Sequence, residues 1–208
     1  AMQADIEPLR DFLVRHQKIE HRAMVKALDS ARYRRLIRDW RNFLDQPVNE
    51  RTTLKNARLP VIDVACKRIW RIYRRAIREG NAITAESPAD ALHELRKTCK
   101  KLRYLMEFFQ SLYPAARIRE LIRVLKKLQE NLGNFQDYEV QVTTLKKFSH
   151  QMVAESRVSP DTLLAMGMLI DGLERRQHQA REEFAGRFAD FYLQENQNRF
   201  RKLFASSH

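Results

Sequence analysis

Glycine and proline are scarce, five and six residues in a chain of 208. A turn-rich all-β protein needs more of both, so that class is excluded. Cysteine is rarer. Cys66 and Cys99 both fall in helical apolar rows and read as small buried hydrophobes, not as a disulfide framework. Such usage points to a reducing compartment. No run of about 18 apolar residues occurs, and no charged leader with an apolar stretch opens the chain, so a soluble, cytoplasmic protein without a membrane partner is expected. Acidic residues are in deficit as well, 26 against 39 basic, for a net charge of +13. That balance attracts polyanions, whether nucleic acid, an acidic membrane face or a phosphate polymer, and does not choose among them.

What the chain does have is helical periodicity nearly throughout. The pattern predicts a first helix over Ile6–Leu28 and a second over Arg32–Leu44 capped by Ser30. A polar loop follows over Asp45–Arg58. A third helix runs from Pro60 to a stop at Gly80, and a fourth from Ser87 as N-cap, with Pro88 at N1, to Pro114. A fifth covers Ala115–Val153 with a kink at Gly133, and a sixth opens at Ser159-Pro160-Asp161 and reaches Phe191 or Phe204. No strand alternation is present. The expectation is an all-α antiparallel helical bundle with short connections. Trp40, Trp70 and the eleven phenylalanines read as core, with Trp70 a candidate for a cavity rim. The opening Ala1-Met2 resembles a cloning scar, which implies a piece of a longer chain.

Two of the expected helices are strongly two-faced. On the fourth, Leu92, Leu95, Cys99, Leu102, Met106 and Phe109 step by three and four residues, a buried seam. At about 100° per residue, His93, Lys97, Lys100 and Tyr104 centre on the opposite side, with Arg96 and Arg103 at one flank and Lys101 at the other. On the third, Lys67, Arg71, Arg74 and Arg78 step along the face opposite Ile62, Ala65, Ile69, Ile72, Tyr73 and Ala76, flanked by Arg68 and Arg75. Between Lys67 and Tyr104 there are 11 cations and 4 acids. A solvated helix face normally mixes signs, because like charges three or four residues apart destabilise the helix. The row on the third helix therefore calls for a counter-anion. Guanidinium forks match phosphate oxygens two at a time, and two parallel rows make an extended groove suited to a chain of phosphates. Lys126 and Lys127, on the helix that follows, are candidates for the same groove.

The segment HELRKTCKKLRY, His93 to Tyr104, resembles the signature of the CHAD family, the conserved-histidine α-helical domains. His93, Arg96, Lys97, Lys100, Lys101, Arg103 and Tyr104 match that signature position by position. LQENLGNFQDYEV, with Gly133 and Asp137, and SARYRRLIRDWRNFL, Ser30 to Leu44, are similar to two further family segments in the same order. The resemblance implies two related helical halves around a basic cavity. It also implies binding of inorganic polyphosphate, association with polyphosphate granules, and a triphosphate-tunnel-type enzyme as partner. One histidine motif is present where the family has two, since neither His16 nor His21 is followed by the arginine and lysine pattern. The expectation is residues 1–58 as the remainder of a first half and 59–208 as a complete four-helix-type second half.

Neither a metal nor a catalytic role is expected for His93. The residues on its face are Arg96 and Lys97, which repel a cation, and among such neighbours the imidazole stays neutral unless an anion binds. A phosphate contact or a structural hydrogen bond fits better. His150, His178 and His208 carry no argument, and Gly133 and Asp137 read as a kink and a helix-start contact. No phosphate-binding glycine loop, HExxH or nucleophile elbow occurs, so no enzyme, cofactor or metal is expected. Two other readings stay open. Nucleic-acid binding fits the net charge but lacks interleaved exposed aromatics. An accessory module of a triphosphate-hydrolysing enzyme is not tested by any residue of the chain.

Overall fold

Helices make up most of the described residues, as the apolar period predicts, and among those residues there is no strand. The structure is a computed structural model that describes residues 2–47 and 53–205. His208, Ala1 of the opening dipeptide and residues 48–52 of the expected loop lie outside them. In order, the helices are α1 (Met2–Asp5), α2 (Glu7–Leu28), α3 (Ala31–Asp45), α4 (Val61–Asn81) and α5 (Ala89–Phe108). A 3-10 turn at Gln110–Leu112 follows, then α6 (Ala115–Ala154), α7 (Pro160–Phe191) and α8 (Gln194–Phe204).

Several boundaries depart from expectation, each for a local reason. The expected first helix is α2, begun one residue later with Pro8 in its first turn, and the short α1 precedes it. Pro88 has extended angles (φ −64°, ψ 155°), so α5 starts at Ala89. Ser87 caps nothing in α5; its Oγ accepts from the Thr84 N–H at 2.9 Å within the preceding loop. Gly133 does not interrupt α6, so Asp137 is mid-helix and opens nothing. Of the two ends expected for the sixth helix, Phe191 is the one observed, and α8 follows as a separate helix. Leu193 is extended, and side chains of α8 take the carbonyls that α7 leaves open: Asn196 Nδ2 donates to Asp190 O at 2.9 Å and Gln197 Nε2 to Tyr192 O at 2.8 Å. Ser30 caps as expected, accepting from Tyr33 N at 3.2 Å, and Ser159, where a helix start was expected, accepts from Thr162 N at 3.2 Å.

The chain forms two compact units. One comprises Arg58–Thr144 and Ile170–His208. Its core runs from Ile69 and Tyr73 on α4 through Leu92, Leu95, Cys99, Leu102 and Met106 on α5. It continues to Leu121, Leu125 and Leu128 on α6 and to Phe191, Phe200 and Phe204. The α5 seam is sealed; none of its first five residues is more than 1% exposed. Truncating Leu102 to alanine there is expected to cost about 2–5 kcal/mol in urea denaturation. Gly80 is not a helix stop. It is buried inside α4, where a Cβ would run into the Phe188 ring.

The other unit comprises Ala1–Ala57 and Leu145–Leu169. Its core is small: Leu9 and Phe12 on α2 meet Met152 and Met166, with Leu145, Phe148 and Val158 packed against them. Ser156, at φ 53°, closes α6 in a Schellman turn, with Arg157 N bonded to Met152 O at 3.0 Å. No residue of α3 is buried. Trp40 and Phe43, read from sequence as core, are 57% and 63% exposed and stack on each other. Phe108 departs likewise at 79% exposed, in the other unit.

Candidate anion-binding site

The histidine helix and the arginine helix are held as a pair. α4 and α5 pack against each other, and their connection is clasped by Arg181 of α7. Its Nη2 donates to Ala85 O at 2.8 Å and also to Ser87 O. With Thr84 O at 3.5 Å as a third acceptor, this arginine fixes where α5 begins and hence which way its faces point.

On α5 the apolar seam turns inward, which leaves Lys97, Lys101 and Tyr104 exposed and His93, Arg96, Lys100 and Arg103 half-buried. The half-buried flank is tied to α6. His93 Nδ1 donates to the Gln136 carboxamide oxygen. With its proton on Nδ1, the neutral ring offers Nε2 as an acceptor, so a phosphate contact from Nε2 requires the doubly protonated ring. Arg96 approaches Asp137 at 3.9 Å. Glu107 serves two cations, Arg103 at 3.8 Å and Lys126 at 3.5 Å. Lys97 pairs with Glu94 at 2.7 Å, and that hydrogen bond lowers the Glu94 pKa. Lys100 and Lys101 have no carboxylate in ion-pair range among the described residues.

On α4 all of Lys67, Arg71, Arg74, Arg75 and Arg78 are exposed. Arg75 is bonded to Glu79 at 2.5 Å, and that bond raises its pKa, with Glu94 of α5 adding a smaller attraction. Lys67, Arg71, Arg74 and Arg78 have no ion pair among the described residues. Lys127 on α6 is likewise exposed and unpaired among them.

The two cation rows open onto different depressions. One, of about 510 Å³, is built by α5 alone from Lys97, Lys100, Lys101, Tyr104, Leu105 and Phe108. Arg74 and Arg78 line another, against α8, with Arg201 and Trp70. Sequence reasoning missed four participants: Gln136 and Glu107, which tie the motif down, Phe108, and Arg201. The spacing of Phe200 and Phe204 was the available signal for α8, since it fixes the outward side on which Arg201 stands. The expected lack of exposed aromatics is also corrected. Tyr104 is 52% exposed and Phe108 79% exposed, both among lysines, because each steps off the apolar seam.

Among the described residues no group of three or more His, Cys, Asp or Glu side chains is placed to hold a metal ion. No helix among them is long and apolar enough to cross a membrane. A family model described as CHAD domain matches residues 1–146. Among curated proteins nothing matches the chain.

Proposed function

The chain belongs to the CHAD domain family, which in general binds polyphosphate, and on that premise we propose that it binds inorganic polyphosphate through the outer faces of α4 and α5, without catalysis of its own. One observation carries the reading. Lys67, Arg71, Arg74 and Arg78 stand on one face of α4, spaced by three and four residues, with no carboxylate partner among the described residues. Such a row destabilises its own helix and is relieved by a counter-anion. Lys97, Lys100 and Lys101 continue the charge onto α5, and Tyr104 supplies a hydroxyl donor. A phosphate chain fits a surface of this kind because each phosphate neutralised also releases counterions.

Isothermal titration with long-chain polyphosphate at low and moderate salt tests it. Binding that weakens steeply with salt is expected. The combined reversal Arg71→Glu, Arg74→Glu, Lys97→Glu, Lys100→Glu is expected to abolish it, and unchanged affinity in that variant overturns the reading.

A second reading, single-stranded nucleic acid, is favoured by Tyr104 and Phe108, whose exposed rings beside three lysines are the elements of a stacking platform. Competition between polyphosphate and an oligonucleotide separates the two. An enzyme partner of the triphosphate-tunnel type and a location at polyphosphate granules in the cytoplasm rest on the family alone, and co-purification with such an enzyme tests the first.

A further inference from the structure

The cavity between α4 and α8 is chemically unlike the open lysine surface of α5. Its volume is about 280 Å³, near the lower end of small-ligand pockets at roughly 300–1,000 Å³. That space is on the scale of a small ligand that carries one or two phosphoryl groups. Its lining divides in two. Trp70 and Tyr192 supply aromatic wall, while Arg74, Arg78 and Arg201 bring three guanidinium groups, none with an ion-pair partner among the described residues. Tyr73 also lines it. That residue is 4% exposed, and its hydroxyl is buried without a hydrogen-bond partner. Burial, and more weakly the neighbouring Tyr192, raise the Tyr73 pKa, so the hydroxyl stays a neutral donor. The remaining polar groups are carboxamides, Gln194, Gln197 and Asn198; Gln197 Nε2 is spent on Tyr192 O and Gln194 Nε2 on Asn198 Oδ1, which leaves the Gln194 and Gln197 oxygens as acceptors and the Asn198 amide as donor for the edge of a nucleobase.

We propose that this cavity binds a nucleotide, a nucleoside mono- or diphosphate, with its base against Trp70 and Tyr192 and its phosphates on Arg74, Arg78 and Arg201. Flat aromatic surface beside arginine forks matches a ring joined to a phosphate, whereas inorganic phosphate uses only the forks. The proposal does not rest on the polyphosphate reading. Arg201, Tyr192 and the whole of α8 lie beyond the residues that the family model matches.

Trp70 reports on its own occupancy once Trp40, the other tryptophan of the chain, is replaced by phenylalanine. Titrating Trp40→Phe protein with ADP is expected to change Trp70 fluorescence saturably, with pyrophosphate and adenosine each binding at least about tenfold more weakly. Arg201→Ala is expected to weaken ADP about tenfold or more, the loss of one charged hydrogen bond. Arg201 is exposed with no side-chain partner among the described residues, so an unchanged helical circular dichroism spectrum is expected for that variant. Lys97→Glu/Lys100→Glu is expected to leave ADP binding intact while polyphosphate binding falls, which keeps the two readings apart. Pyrophosphate binding as tightly as ADP, or ADP affinity unchanged in Arg201→Ala, overturns the proposal, as does a fluorescence signal that ADP never moves.

Discussion

The outer face of α4 and the α6-facing flank of α5 carry the same kind of residue and treat it in opposite ways. On α4, Lys67, Arg71, Arg74 and Arg78 stand without acidic partners among the described residues. On α5, His93 is bonded to Gln136, Arg96 faces Asp137, and Arg103 shares Glu107 with Lys126. The motif residues thus do two things at once. They supply charge, and they help seat one helix on another. The α4 row supplies charge only. Matching a signature therefore does not by itself mark a residue as a ligand contact; what each cation already holds must be asked first.

Removing cations from the α4 row tests that contrast most severely. Arg71→Ala/Arg74→Ala is expected to lower polyphosphate affinity about a hundredfold or more, as two charged hydrogen bonds would, with no fall in the urea midpoint. A fall in the midpoint breaks the comparison. Arg103→Ala, on the tethered flank, is expected to act on both readouts. Its half-buried stem is lost with its charge, so stability drops by about 1 kcal/mol in urea denaturation and affinity about tenfold. Glu107→Gln sharpens the contrast from the acid side. It frees two cations, so polyphosphate affinity by titration at low salt is expected to rise about two- to threefold while stability falls by less than about 1 kcal/mol. Unchanged affinity would mean that Arg103 and Lys126 do not reach the ligand. Smallest is Arg74→Gln without ligand. Relieving repulsion with Arg71 and Arg78 should stabilise α4 by about 0.2–0.5 kcal/mol in low-salt thermal denaturation, a gain that vanishes as salt screens it.

Features set by neighbours along the chain were legible in the sequence. The seam of α5 and the cation row of α4 follow from period alone, and the apolar half of each is where periodicity puts it. The Ser30 cap and the helix start at Ser159 are likewise local. What could not be read was pairing across distance. His93 meets Gln136 over 43 residues, and Arg181 clasps carbonyls over 90 residues away; neither carries a local signal. Gly80 was legible as a special position but for the wrong reason, since the Phe188 ring that demands a missing Cβ is remote in sequence. The return of Leu145–Leu169 to the unit of α2 and α3 is a matter of long-range contact, on which helical period is silent. Exposed Trp40, Phe43 and Phe108 mark the limit of reading hydrophobicity as depth, because an aromatic needs a facing element before it can be buried.

Cys99, sealed in the α5 seam, has one more consequence. Burial, with a smaller push from Glu79, drives its thiol up to about 12. Only the thiolate reacts with alkylating reagents, and at neutral pH this one is both protonated and enclosed. Alkylation must then wait for the α4–α5–α6 packing to come apart. Cys66, buried against the Tyr113 hydroxyl and the Leu203 carbonyl, is shut in at the α8 end. The protein thus carries two internal stopwatches. Mass spectrometry of label uptake at each thiol would read out, without any introduced cysteine, whether α8 peels away before the rest of that core or only together with it.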